Sequence, residues 1–345
     1  MAINWKAALF VSLAFASLAA AEPAAEGTVD RVLHFTSGKT ENAAEEIATV
    51  IRSIANIKQL SIDSKENALV LNGTTNQVAL AEWLFRLLDQ PPNGPGSPQN
   101  LVKYEFRMSV NPDDVARVFY LSNAATVQSF QEIATAVRSV ADIRRMFTYN
   151  EPRAIVVRGT SDQIALAEFL FGEIDKPAIG LASSPQSRRS AIYTYRPDRQ
   201  EGVLQVFYLA NTKTVADFQE IAVVIRTVTR VRRLFTYNAP RAVIVRGTTD
   251  QIALADWLFN ELSQPANQQD TGPHEYRLAA ASDEVVGVFR PHAESAQRLQ
   301  EITMQVRSAT NDPDTLPYTA PRAIVVRGTA AQIARAGLVL KEQDR

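Results

Sequence analysis

The sequence predicts an α+β protein of four tandem small β-α-β-β-α modules, each a short mixed sheet with two helices on one face. Three observations carry this. A helix motif recurs as Glu46-Ile47-Ala48, Glu132-Ile133-Ala134, Glu220-Ile221-Ala222 and Glu301-Ile302-Thr303. An Arg stands six residues after each Glu (Arg52, Arg138, Arg226, Arg307) and a Gly twenty-seven after it (Gly73, Gly159, Gly247, Gly328). These offsets are constant inside a copy, whereas the Glu-to-Glu spacing between copies runs from 81 to 88, so insertions fall only in the connections. Periods of that size exceed the roughly 20–50 residues of solenoid repeats, so each copy reads as its own packed unit.

The third copy shows the elements in order. Val206-Phe207-Tyr208-Leu209 is a short aromatic and β-branched run, which predicts a strand. Thr214 with Asp217 three residues on opens a helix as a capping box, and Phe218, Ile221, Ala222, Ile225 and Val228 recur along it at helical spacing. Val231 to Tyr237 and Ala242-Val243-Ile244-Val245 flank a turn at Asn238-Ala239-Pro240, the pattern of a hairpin. A second box, Thr248 to Gln251, starts the last helix, and the same T-x-x-Q stands at Thr74–Gln77, Thr160–Gln163 and Thr329–Gln332. Runs such as Ala154-Ile155-Val156-Val157 are apolar on both strand faces, although two helices cover only one, so the other face needs a cover.

Pro-, Gly-, Ser- and Gln-rich stretches at Gln90 to Asn100, Lys176 to Ser190 and Ser263 to Pro273 read as linkers. They divide the chain into modules at 27–90, 101–176, 190–263 and 273–345. Copies two to four carry an additional strand-like segment (Lys103 to Met108, Ala191 to Arg196, Glu275 to Leu278), whose sheet partner the sequence does not give. Copy four reads as degenerate. Two prolines interrupt its second strand between Asn311 and Pro317, and Gly337 stands in its last helix where copies one and three have Trp83 and Trp257.

Residues 1–21 read as a signal peptide: Lys6 in the n-region, an apolar run from Ala7 to Ala20, and Ala19-Ala20-Ala21 as the cleavage site. The mature chain is expected in the periplasm or outside the cell, with no membrane span. Of 345 residues 46% are hydrophobic, enough for packed cores, and the formal net charge of −1 gives no general attraction to nucleic acid or acidic membranes. The chain has no cysteine, which excludes disulfides, thiolate chemistry and Cys-ligated metals.

Ala68-Leu69-Val70-Leu71-Asn72-Gly73-Thr74, followed by a helix ending Leu87-Leu88-Asp89-Gln90-Pro91, resembles the N-domain of bacterial secretins. Those are periplasmic, KH-like β-α-β-β-α modules of type II and III secretion and type IV pilus channels. The resemblance covers nearly all of the mature chain as four copies. Secretins follow such domains with a pore-forming β-domain, whereas this chain ends after its fourth unit. The resemblance thus implies interaction modules without the channel, beside secretion or pilus machinery.

No catalytic set emerges. Ser37-Gly38-Lys39-Thr40 imitates the end of a P-loop, but the glycine needed five residues before Gly38 is Leu33, so a helix-capping turn is the better reading. His34, His274 and His292 have neither a nucleophile nor a second metal ligand beside them. No cofactor, metal or catalytic residue is expected. Asn72-Gly73-Thr74 spells a glycosylation sequon but sits at a strand end, where its glycine serves as a turn in every copy.

Arginines and tyrosines on the hairpin strands stand out instead: Arg144, Arg145, Tyr149, Arg153 and Arg158 in copy two, and Arg232, Arg233, Tyr237, Arg241 and Arg246 in copy three. KH domains clamp RNA with a GXXG loop that is absent here, so nucleic acid is not expected. The ten residues read as a solvated face, as ion-pairing between units, or as a recognition surface. The expectation is a non-enzymatic exported protein that binds protein partners in the cell envelope, with self-association open. A peptidoglycan- or glycan-binding protein using the Tyr and Arg surface is the alternative.

Overall fold

The computed structural model describes residues 27–36, 39–90, 104–176, 188–195, 202–209, 212–264, 273–278, 282–311 and 314–343. The expected signal peptide and most of the three linkers lie outside these residues. The first unit is β1 (Thr28–His34), α1 (Glu41–Ile54), β2 (Gln59–Asp63), β3 (Ala68–Thr74) and α2 (Thr75–Leu88). The second is β4 (Tyr104–Arg107), β5 (Asp114–Tyr120), α3 (Val127–Val140), β6 (Arg145–Tyr149), β7 (Ala154–Thr160) and α4 (Ser161–Ile174). The third has two short strands, β8 (Arg188–Arg189) and β9 (Tyr193–Thr194), then β10 (Val203–Tyr208), α5 (Val215–Thr229), β11 (Arg233–Tyr237), β12 (Ala242–Gly247) and α6 (Thr249–Leu262). The fourth is β13 (His274–Arg277), β14 (Glu284–Phe289), α7 (Ala296–Thr310), β15 (Thr315–Tyr318), β16 (Ala323–Thr329) and α8 (Ala330–Gln343).

The sheet orders are β1-β3-β2, β4-β5-β7-β6, β8-β10-β12-β11 with β9 also on β10, and β13-β14-β16-β15. The additional strands therefore pair with the first core strand of their own unit. Every pairing is antiparallel, so the expected mixed sheets are not formed. The helix that follows the first core strand carries the chain across the sheet, and the hairpin then inserts its second strand beside the first. Strands that run parallel, such as β1 and β2, are thus never neighbours.

The T-x-x-Q boxes form as expected, and their glutamines have a further role. Gln77, Gln163, Gln251 and Gln332 each accept from the backbone N–H of their capping Thr. Their side-chain amides also donate to carbonyls at the end of the unit's first helix, as Gln163 does to Ala141 and Asp142. This explains the glycine. A Cβ at Gly159 or Gly247 would sit 2.6 Å from that glutamine's Oε1, and at Gly73 3.1 Å away. The motif arginines are equally structural: Arg52, Arg138, Arg226 and Arg307 each donate to a carbonyl at the second core strand (Leu60, Met146, Leu234, Thr315).

Copy four is complete rather than interrupted. Arg327 N–H bonds the Asp314 carbonyl. Alternation along the pair then turns Leu316 and Tyr318 toward β16, and Pro317 outward. Pro317 lies on an edge strand with its nitrogen away from the ladder, where proline costs no sheet hydrogen bond. Counted from the capping threonines, the place of Trp83 and Trp257 is taken by Leu338, and Gly337 takes that of Glu82.

Candidate functional site

The uncovered sheet faces are covered by the preceding unit. One apolar cluster joins Ile47, Val50, Ile51 and Ile54 of α1 to Ala116, Val118, Tyr149, Ala154 and Val156 of the second sheet. The same relation joins α3 to the third sheet and α5 to the fourth. An aromatic pair flanks each joint: Trp83 with Phe106, Phe169 with Tyr193, and Trp257 with Tyr276, at centroid separations of 5.6, 4.6 and 5.4 Å. A contact that recurs three times between equivalent elements of successive units is a built interface.

Two polar contacts orient every joint. In the first, the motif glutamate reaches the hairpin turn of the next unit. Glu46 accepts from the Asn150 backbone N–H and side-chain amide, both at 3.0 Å. Glu132 accepts from the Asn238 N–H at 3.4 Å, and Glu220 from the Thr319 N–H and hydroxyl at 3.0 and 2.7 Å. In the second, the arginine before the repeated glycine reaches back to the end of the preceding unit's first helix. Arg158 Nη1 donates to the Ile54 carbonyl at 2.7 Å, Arg246 Nη1 to Val140 at 2.5 Å, and Arg327 Nη1 to Val228. A guanidinium there satisfies an orphan carbonyl and sits at the negative end of the helix dipole. Arg158 is itself clamped by both oxygens of Asp114, at 2.9 and 2.6 Å. Arg246 lies over the Tyr195 ring at 4.6 Å, and burial, then the nearby Arg233, lowers its pKa, while Asp142 opposes that.

These joints account for much of the Arg and Tyr set. Tyr149 and Tyr237, 1% and 4% exposed, are packed inside the joints, where burial above all raises the pKa of both hydroxyls. Arg158 and Arg246 are the helix-end arginines just described. Arg153 and Arg241 adopt left-handed backbone (φ 52° and 53°) at the hairpin turns, and their side chains bond the loop before the unit's own first helix, at Ala125 and at Thr212 with Lys213. Arg233 pairs with Asp142 at 2.7 Å. Arg144 and Arg232 are exposed and Arg145 is half-buried. Arg144 and Arg145 line a shallow cleft of mixed charge with Asp113, Asp114 and Asp142.

Sequence reasoning missed Glu46, Glu132, Glu220 and Arg327 as joint residues. A signal was present. An arginine stands before the repeated glycine in copies two to four, each of which follows another copy, whereas copy one has Asn72 there.

The outward faces of the first and fourth modules replace several joint residues with polar ones, beside exposed Val32, Val70 and Leu338. The first sheet's outer face carries Asp30, Ser61, Asp63 and Asn72 at the registers where the second has Ala116, Phe147, Tyr149 and Arg158. At the other end, exposed Gln305 of α7 replaces buried Val50, Ala136 and Val224, and Glu301 pairs with Arg298 on its own helix.

These features define a class: an α+β array of four modules, the first three each docked by their first helix under the next module's sheet. No protein-family model and no curated protein matches the chain. It is similar to the N-terminal domain of the secretin XcpQ from Pseudomonas aeruginosa, at 15% identity over 43% of this chain and 62% of that one, with a TM-score of 0.18. ExeD from Aeromonas hydrophila is similar at 15% identity over 69% and 41%, with a TM-score of 0.16. An aspartate kinase from Synechocystis is similar at 10% identity over 92% and 53%, with a TM-score of 0.15. The chain spans less than two thirds of each of these proteins. The first is a domain of the family that residues 68–74 and 87–91 resemble. Likenesses this partial carry no argument.

Proposed function

We propose that this is an exported, non-enzymatic assembly protein of the bacterial cell envelope, acting by protein–protein contact beside secretion or type IV pilus machinery. The observation that carries the reading is the joint. Three repeats of the same helix-under-sheet contact fix four modules in one array, so any binding surfaces they carry are held at fixed spacing. Linked sites raise avidity by roughly 10²–10⁴-fold where their geometry matches the partner. Export rests on the sequence of residues 1–21; among the described residues no helix is long and apolar enough to cross a membrane.

The glycan-binding alternative draws no support from the site, because Tyr149, Tyr237 and Arg246 are buried between modules. Replacing Tyr237 or Arg246 would disturb a joint rather than bare a sugar-binding surface. The test is cross-linking in intact cells followed by purification and mass spectrometry. Enrichment of secretion or pilus components supports the proposal; recovery of cell-wall fragments alone overturns it.

A further inference from the structure

The first module differs from the other three in one respect that points outward. In modules two to four the first core strand is flanked on its free side by β4, by β8 and β9, or by β13. Among the described residues nothing pairs with that side of β1. The difference is visible in burial on the face toward the unit's own helices: Val115 and Arg117 of β5 are buried, whereas Val29 and Arg31 at the same registers of β1 are exposed.

The direction of the free groups follows from the ladder. Phe35 N–H bonds the Asn67 carbonyl on the β3 side, so the odd-numbered residues of β1 face β3 and Asp30 and Val32 turn their N–H and C=O outward. At the position equivalent to Thr28, which also faces outward, the Asp114, Gly202 and Glu284 carbonyls of the other modules accept from Met108, Tyr195 and Leu278. The acceptor chemistry is thus used three times within this chain.

The side chains specify what would fit. Arg31 pairs with Glu82 of α2, as Arg117 at the same register pairs with Glu168 of α4. In module two a third member completes the group: Glu105 of β4, directly opposite Arg117 and 4.0 Å from it. Module one keeps the arginine and the helix carboxylate, and among the described residues no strand glutamate joins them. We infer that the outer edge of β1 takes up an extended segment of a partner protein as an additional antiparallel strand, with an acidic residue opposite Arg31. Backbone pairing supplies the binding and the acid sets the register, as in other cases of strand addition. The inference rests on the reading of this chain as an interaction protein and names one surface that would do the binding.

The probe is a labelled heptapeptide with the sequence of residues 104–110, titrated into the full chain and followed by fluorescence anisotropy. Saturable binding is expected. Val32→Pro removes one outward donor and no bond to β3, and weakens binding about tenfold, the worth of one hydrogen bond. Should Val32→Pro unfold the module, charge exchange keeps the test: Arg31→Glu loses the native peptide and gains one carrying Lys in place of its Glu. Absence of saturable binding, or equal binding to the Val32→Pro chain, overturns the inference. So does a dimer abolished by Val32→Pro, because the occupant is then a second copy. Binding seen only after residues 1–26 are removed also overturns it, because the chain then fills its own edge. Peptide binding with no envelope partner in cross-linking would instead count against the proposed cellular role alone.

Discussion

Arg246 Nη1 donates to the Val140 carbonyl at 2.5 Å, so a strand of the third module terminates a helix of the second, 106 positions earlier in the chain. The same nitrogen lies 3.2 Å from Asp142, just past the end of that helix. Removing this side chain leaves a buried carbonyl unpaired and opens the joint. Arg246→Ala is expected to cost about 2–4 kcal/mol, the range for breaking a buried, charge-assisted contact from one side. Urea unfolding should show this as an earlier transition that separates modules two and three. A loss below about 0.5 kcal/mol, the size of an ordinary surface substitution, would remove the joint arginine from the account.

The motif glutamate makes a sharper local prediction. Glu46 holds both donors of Asn150, and the amide isostere Gln cannot accept at both oxygens. Glu46→Gln should therefore cost about 1–2 kcal/mol and speed hydrogen exchange at the Asn150 backbone amide. Glu301→Gln is the control. Among the described residues its carboxylate pairs only with Arg298 on the same helix surface, a contact of an ion-pair class worth about 0.3–0.5 kcal/mol. Equal effects of the two substitutions would show that the glutamate acts within its helix and not across the joint.

Which parts of this were legible in the sequence follows from the range of each interaction. Capping boxes, helical stripes and hairpin turns are set by residues three or four apart, and Thr160 with Gln163 or Thr248 with Gln251 announce themselves. The need for a cover was also legible, because Ala154-Ile155-Val156-Val157 is apolar on both faces. Its identity was not: Ile54 and Arg158 meet across 104 positions, and an arginine on a strand looks the same whether it faces water or caps a distant helix. Pro317 was misleading for a related reason. Proline excludes a strand only where its nitrogen faces a neighbour, and that depends on register and edge position, which composition does not encode. The open edge of β1 likewise stands out only once β4 and β13 are seen to occupy its counterpart.

Gly159 should be intolerant of alanine although its backbone is ordinary. The added Cβ would meet Gln163 Oε1 at 2.6 Å and push it from the Thr160 N–H, dismantling the capping box and its link to the end of α3. The expected loss is about 1–2 kcal/mol, that of a helix cap. Gly73→Ala, whose Cβ would stand 3.1 Å from Gln77 Oε1, should lose less. Gly172→Ala on α4 meets nothing within 4 Å and should gain about 0.5–1 kcal/mol from helix propensity. Thermal unfolding of the three variants checks the order, and a loss at Gly172 matching that at Gly159 would refute the steric argument.

The joint between modules three and four should also weaken in acid. Glu284 accepts from Arg327 Nη2 at 2.8 Å, and this bond, assisted by the charges of Arg327 and Arg230, holds its carboxyl below its ordinary value of 4.5. The folded chain therefore binds the proton less readily than the unfolded one. The contribution is complete above the unfolded value and is lost as pH falls through the lower folded value. Protonation also releases Arg327, whose Nη1 caps the Val228 carbonyl at the end of α5, so the effect passes into the joint. Unfolding midpoints measured between about pH 6 and 3 should fall less steeply for Glu284→Gln than for the unaltered chain, because the variant has no proton to take up there. The side chain is 39% exposed, so the difference should shrink at high salt, where the Arg230 and Arg327 charges are screened. Acid limbs of equal slope in the two chains would mean that the Arg327–Glu284 pair orients the guanidinium without adding pH-dependent stability.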